Sequence, residues 1–203
     1  MQLFSVLLDS VFPPKDRALR ARSLSYEALH TLVTPKEYVD EHLTCTSLLP
    51  YKDPLVQAAI TEAKYNDSHH AQRILGSILA TYLSQQPDTT KIVLIPVPLS
   101  AVRLHARGYN QVDRICVHAQ QVLKKEFGVC VAIERNLLCR IKDTPPQTSL
   151  GAAGRRSNME GAFLASRSPS THTIYVLVDD VRTSGATLYD IGDVAEWSKV
   201  PHC

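Results

Sequence analysis

Two acidic side chains set next to each other, Asp179 and Asp180, are followed closely by Thr183-Ser184-Gly185-Ala186-Thr187. These are the residues of the chain best suited to chemistry. Adjacent carboxylates repel one another unless a cation or hydroxyl groups compensate them. Such a pair suits two neighbouring sugar hydroxyls or a hydrated Mg2+. A turn of small residues lets successive backbone N–H groups converge on an anion, and the N-terminus of a following helix adds its dipole. The hydroxyls of Thr183, Ser184 and Thr187 can donate to the same phosphate. An ordinary strand–turn–helix with a capping Thr explains the hydroxyls but not two acids side by side.

The element that must position these groups directly precedes them. Ile174-Tyr175-Val176-Leu177-Val178 is apolar and largely β-branched, the composition of a buried parallel strand. Ligands of open α/β sheets bind outside the carboxyl ends of such strands. Phosphate, ribose and metal together outline phosphoribosyl pyrophosphate (PRPP). The run resembles the PRPP-binding signature of type I phosphoribosyltransferases: a hydrophobic strand, Asp-Asp, one or two variable residues, then Thr-Ser-Gly-Ala-Thr.

Two further constellations carry positive charge. Ile95-Pro96-Val97-Pro98-Leu99-Ser100 is followed by Arg103 and by Arg107-Gly108-Tyr109-Asn110-Gln111. The prolines end a strand, and Arg forks bind phosphate oxygens bidentately. Solvated Arg side chains on a loop fit the same residues. The stretch from Arg140 through Lys142, Thr144, Gln147 and Arg155-Arg156 to Asn158 is polar, basic and long for a connection inside a domain. It suits a lid that brings cations to a departing pyrophosphate, and a plain linker fits its composition nearly as well.

The rest of the chain reads as alternating helices and strands, hence a parallel sheet. Leu3, Val6, Leu7 and Val11 are spaced for one helix face, which Pro13-Pro14 stops. Pro54 can open a helix carrying Leu55, Val56, Ala59 and Ile60, and Asn66-Asp67-Ser68 reads as a turn and cap. Helices are expected over about 71–83 and 111–124, and strands over 91–97, 129–133 and 174–178. Met159 to Phe163 returns as a strand-like segment.

The 203 residues suffice for one α/β domain with an extension, and 44% hydrophobic with 21% charged residues is a globular composition. A net charge of +2 hides an asymmetry: residues 103–167 hold eleven Lys and Arg against five acids, and residues 168–203 hold two against five. A basic middle and an acidic end suit a polyanion held between cations and metal-binding acids. The five cysteines form no Cys-x-x-Cys pair, which argues against a zinc ribbon or a disulfide framework and makes a reduced, cytoplasmic setting the default. No apolar stretch approaches a membrane span.

Taken in order, Phe12-Pro13-Pro14, Pro96-Val97-Pro98, Arg107-Gly108-Tyr109-Asn110-Gln111, Arg140 with Thr144 and Gln147, Arg156 with Asn158, Gly161-Ala162-Phe163 and the Asp-Asp signature resemble the ComF family. The likeness covers about residues 50–193 well and the first 15 weakly. It implies a parallel, doubly wound α/β sheet of the type I phosphoribosyltransferase class over residues 51–203, with a helical N-terminal extension over 1–50. It also implies binding of PRPP with Mg2+ and transfer of the phosphoribosyl group, a glycosyltransferase reaction of the pentosyl type, to an acceptor that the sequence does not name. Asp179 and Asp180 would hold the ribose hydroxyls, directly or through Mg2+. Thr183, Ser184, Gly185, Ala186 and Thr187 would cradle the 5′-phosphate. Pro98, Leu99 and Ser100 would form the pyrophosphate loop beside Arg103 or Arg107, and Arg140 and Lys142 would serve from the lid. The family's zinc ribbon is missing from its place at Lys15-Asp16-Arg17, so no zinc is expected. Its further strand finds no room before Pro201, so the domain reads as C-terminally short. The rival expectation is a non-catalytic competence module that binds single-stranded DNA or competence proteins. Aromatic residues make up only 6% of the chain, few for a stacking platform. A homodimer is compatible with either reading.

Overall fold

The computed structural model describes residues 23–39, 44–87, 89–142, 161–168, 170 and 172–181. The expected 1–11 helix, Phe12-Pro13-Pro14, Thr144 to Met159, the cradle Thr183, Ser184, Gly185, Ala186 and Thr187, and the segment to Cys203 lie outside them. Among the described residues the order is α1 (Tyr26–His30), β1 (Lys36–Val39), β2 (Thr44–Ser47), α2 (Pro54–Tyr65), α3 (His69–Ser84) and a short 3-10 turn. Then come β3 (Ile92–Pro96), α4 (Ala101–Arg107), α5 (Gln111–Phe127), β4 (Ala132–Ile133), β5 (Leu138–Arg140), β6 (Phe163–Ala165) and β7 (Ile174–Val178).

The helices begin where side chains satisfy their first N–H groups. Asp53 caps α2 just before Pro54, accepting from Leu55 N at 2.7 Å. Ser68 caps α3 and Asn110 caps α5. The α5 helix runs to Phe127, three residues beyond the expected end, because Gly128 supplies the left-handed residue that closes it. Val129 N then bonds Leu123 O as part of that closure. The expected 129–133 strand therefore shrinks to Ala132–Ile133.

The central sheet is parallel, in the order β4-β3-β7, with Ile92 opposite Ile174 and Pro96 opposite Val178. The chain leaves β3 through α4 and α5 toward β4 on one side, while β7 lies on the other. Both faces are covered, which is why β3 reads as an unbroken apolar run. Leu94, Val176 and Val178 pack with Leu79, Ile115, Ala119 and Leu123 of α3 and α5. Ile95, Tyr175 and Leu177 point the other way, onto Leu138, Ala162 and Phe163. That second layer is an antiparallel pair, β5 with β6, matching Arg140 to Phe163. The expected strand-like return thus begins four residues later than read, and Arg140 belongs to a strand rather than to a lid.

Residues 23–50 differ from the expected helical extension. Among the described residues they hold the five-residue α1 and an antiparallel strand pair, β1 with β2. Leu24 and Leu29 are buried against Val56, Ala59, Ala71 and Ile74, so this segment packs on α2 and α3.

The tightest helix contact is α3 on α5 at Gly76. A Cβ there would lie 2.7 Å from His118 Cβ and 2.9 Å from the Ile115 carbonyl oxygen. Gly76→Ala is expected to destabilise the fold. Overpacking costs about 1–3 kcal/mol, more than the roughly 0.5–1 kcal/mol that Ala gains in a helix. A urea midpoint equal to or above that of the parent chain would refute this. Beneath the same contact Cys116 is buried, and its thiol is pushed up to about 12 by burial and then by the Asp113 charge. It is a packing residue, not a ligand or nucleophile.

Candidate functional site

The acid pair leaves the carboxyl end of β7 beside the carboxyl end of β3. Val97 N donates to Val178 O at 3.0 Å, carrying the ladder one residue past the paired strands. The loop Val97–Ser100 and the Asp179-Asp180 turn are therefore neighbours by backbone hydrogen bonding. Ser100 is buried and caps α4 through Arg103 N. Pro98 and Leu99 are half-buried. Arg103 and Arg107 are one turn apart on α4, a helix the sequence did not announce because none of its residues is buried.

The two acids have different surroundings. Asp180 accepts from Lys64 Nζ at 2.8 Å through Oδ1, and from Gln111 Nε2 through Oδ2. Its own N–H donates to Asp179 Oδ1 at 2.8 Å. Gln111 in turn accepts from Arg107 through its amide oxygen. Lys64 is thus the cation that makes adjacent carboxylates tolerable here. Enclosure by the surrounding chain, and after it the like charge of Asp180, push the Asp179 carboxyl up to about 7. The residue as a whole still keeps an open surface. The charges of Lys64 and Arg140 act in the opposite direction, which brings Arg140 into the electrostatics of the site. Arg140 itself lies over the Phe163 ring and donates from Nε to Lys142 O at 3.2 Å. The ammonium of Lys142 sits over Gly161, 3.2 Å from where a Cβ would be.

The Arg107-to-Gln111 run works as a latch. Gly108 adopts a φ of 79° and closes α4. Tyr109 donates its hydroxyl to Ala63 O at 2.9 Å and accepts from Asp67 N at 3.0 Å, tying the α2–α3 corner to the site. Burial above all holds its phenol over the usual range. Asp67 is at a φ of 48°, a conformation Asp tolerates. Asn110 donates to Val97 O at 3.0 Å, so the residue that starts α5 also fixes the end of β3. Tyr109→Phe removes both hydroxyl contacts. It is expected to cost about 1–3 kcal/mol, the range for leaving a buried partner unsatisfied. A denaturation curve superimposable on the parent would show that water replaces the hydroxyl.

Lys64 and Tyr65 were not anticipated from sequence. A Lys in the last turn of a helix reads as a complement to the helix dipole, and only the fold reveals its partner. Tyr65, largely exposed, lies under the Arg107 guanidinium at 5.3 Å.

The chain is similar in sequence to several known proteins. Competence protein F of Haemophilus influenzae is 32% identical over 147 residues, 70% of this chain and 61% of that protein. The chain belongs to the ComF family. Another relative, the DNA utilization protein YhgH of Salmonella typhimurium, is 33% identical over 61% of the chain and 49% of its own length. The YhgH of Escherichia coli K12 is 30% identical over 62% of the chain and 47% of its own length. This ComF chain thus spans about half to three-fifths of the length of the relatives it matches. No family model matches it.

Among the described residues of this ComF chain, no three His, Cys, Asp or Glu side chains gather as a metal cage, and no helix is long and apolar enough to cross a membrane. A cage is not what Mg2+ needs: it is commonly held by one or two carboxylates together with substrate phosphates and water. An acid pair at the carboxyl end of a parallel strand fits that ion.

Proposed function

We propose that this chain binds PRPP with Mg2+ at the ends of β3 and β7 and transfers its phosphoribosyl group to an acceptor, in the service of competence or DNA utilization. The observation that carries the reading is the bond from Val97 N to Val178 O. It brings a candidate diphosphate loop, Pro98-Leu99-Ser100, beside Asp179 and Asp180, which Val181 and Arg182 separate from the run Thr183 to Thr187. The relatives' names, competence protein F and DNA utilization protein, support the biological setting.

In the proposed reaction an acceptor nitrogen attacks the anomeric carbon as the bond to the diphosphate oxygen breaks, and diphosphate leaves with the electron pair. Mg2+, when bound, offsets the charge of that diphosphate. Asp179 orients the ribose hydroxyls and stabilises positive charge growing on the ring. Arg103, Arg107, Arg140 and Lys142 are the cations proposed to receive the leaving group. Thr183, Ser184, Gly185, Ala186 and Thr187 hold the 5′-phosphate by their backbone and hydroxyl groups.

Calorimetry with PRPP, with and without Mg2+, tests the binding step, and a nucleobase screen for released pyrophosphate tests transfer. Mg2+-dependent binding is expected. A second reading, a non-catalytic module for single-stranded DNA, draws support from Tyr65 stacked under Arg107, a platform of the kind that holds bases. Such binding weakens steeply with salt as counterions are released. Tight, salt-sensitive binding of single-stranded DNA without any PRPP binding would establish that second reading instead.

A further inference from the structure

The two acids of the signature do not have the same surroundings, and their contacts assign them different work. Asp180 is engaged at both carboxylate oxygens: Lys64 holds Oδ1 at 2.8 Å and the Gln111 amide holds Oδ2. The pair is sheltered, with side chains 9% exposed for Asp180 and 21% for Lys64. An ion pair this far out of water is hard to break, because either partner left alone is an uncompensated buried charge. Lys64 is fixed in turn by α2, which the Tyr109 hydroxyl fastens at Ala63 O. Gln111 is buried and braced by Arg107. Asp179 has no such clamp. Among the described residues its carboxylate accepts one hydrogen bond, from the N–H of Asp180.

We propose that Asp180 is a positioning residue whose resident cation is Lys64, and that Asp179 alone of the two offers its carboxylate to a divalent ion or to ligand hydroxyls. This rests on the PRPP–Mg2+ reading only for the identity of the ligand. In this division Lys64 supplies a fixed positive charge beside the paired acids. Asp180, pulled toward α2 and α5, holds its own backbone N–H against Asp179 Oδ1 and so orients the carboxylate that does the binding.

The experiment is a Mn2+ titration of the full chain followed by electron paramagnetic resonance, with the metal alone and again with PRPP. Lys64→Met should tighten binding of Mn2+ alone by about fivefold or more, since it leaves two adjacent carboxylates without their cation. Lys64→Arg should restore the parent behaviour. With PRPP present, Asp179→Asn should lose affinity about tenfold or more, whereas Asp180→Asn, still able to bond Gln111, should stay within about threefold. A merely structural Lys64 would move the melting temperature without tightening Mn2+. If Lys64→Met does not fold by circular dichroism, the comparison of the two Asn variants decides. Equal losses in both, or a folded Lys64→Met with no gain in Mn2+ affinity, would overturn the assignment. A parent chain that fails to bind PRPP while Lys64→Met still gains Mn2+ affinity would refute the PRPP reading and uphold the division of roles.

Discussion

Asp179→Asn should lower Mg2+-dependent PRPP affinity by about ten- to a hundredfold, the loss of a charge-assisted contact of roughly 1.5–3 kcal/mol, and yet give a protein no less stable than the parent. The two effects have one cause. Enclosure and the Asp180 charge hold the Asp179 carboxyl above its usual value of 3.8, up to about 7. A carboxyl raised in the fold binds more protons folded than unfolded between those values, so ionising it costs stability as pH rises through that window. Asn carries no such charge. The melting temperature of the variant relative to the parent should therefore climb between about pH 4 and 7 and level off above. Calorimetry checks the affinity and a series of thermal melts checks the profile. Undiminished affinity in a folded variant would remove Asp179 from the site.

Phe163→Ala should be the most damaging single truncation of the fold, at about 3–5 kcal/mol. Phe163 is the largest fully buried side chain among the described residues. It fills the face of the central sheet opposite α3 and α5, with Ile95, Val97 and Leu138 around it, and it lies beneath the Arg140 guanidinium. Its neighbour Leu164 points to solvent from the same strand, 52% exposed. Leu164→Ala should therefore stay within about 0.5 kcal/mol of the parent. Urea denaturation of the two variants measures both. A Phe163→Ala loss under about 1 kcal/mol would show that β5 and β6 are not part of the cooperative core.

The contrast between these residues follows what the sequence could reveal. β7 was legible to its exact ends, because a β-branched apolar run bounded by acids has one reading. The starts of α2 and α5 were legible because Pro54 and Asn110 are first-turn and cap residues with a mechanism, while α3 begins at His69, directly after its cap Ser68 and two residues before the expected start. The β5–β6 pair was read as a lid with a return because three-residue strands carry too few alternations to show a period. The α4 helix was missed because it buries nothing. Lys64 could not be found at all. An ion pair between elements distant in sequence leaves no local pattern, and the acids that need a cation do not say where it comes from. The Arg107-to-Gln111 run was visible as a motif, but its purpose was not. Beside the phosphate-binding role read for it, Tyr109, Asn110 and Gln111 of this run fasten α2, α3 and the ends of β3 and β7 to one another.

The register of β3 against β7 also orders events during synthesis. Chains emerge N-terminus first, at about 5–20 residues per second, and β7 is the last described strand to arrive. By then α2, α3 and α5 can already be packed, with Lys64, Arg107 and Gln111 waiting for an acid not yet made. Until β7 docks, the edge of β3 that will carry Val93, Leu94 and Ile95 opposite Tyr175, Val176 and Leu177 has no pairing partner. An unpaired apolar edge of that kind is a template for intermolecular strand addition. A ribosome stalled just short of Ile174 would expose that edge on every nascent chain, and chaperone occupancy should peak at that point of translation.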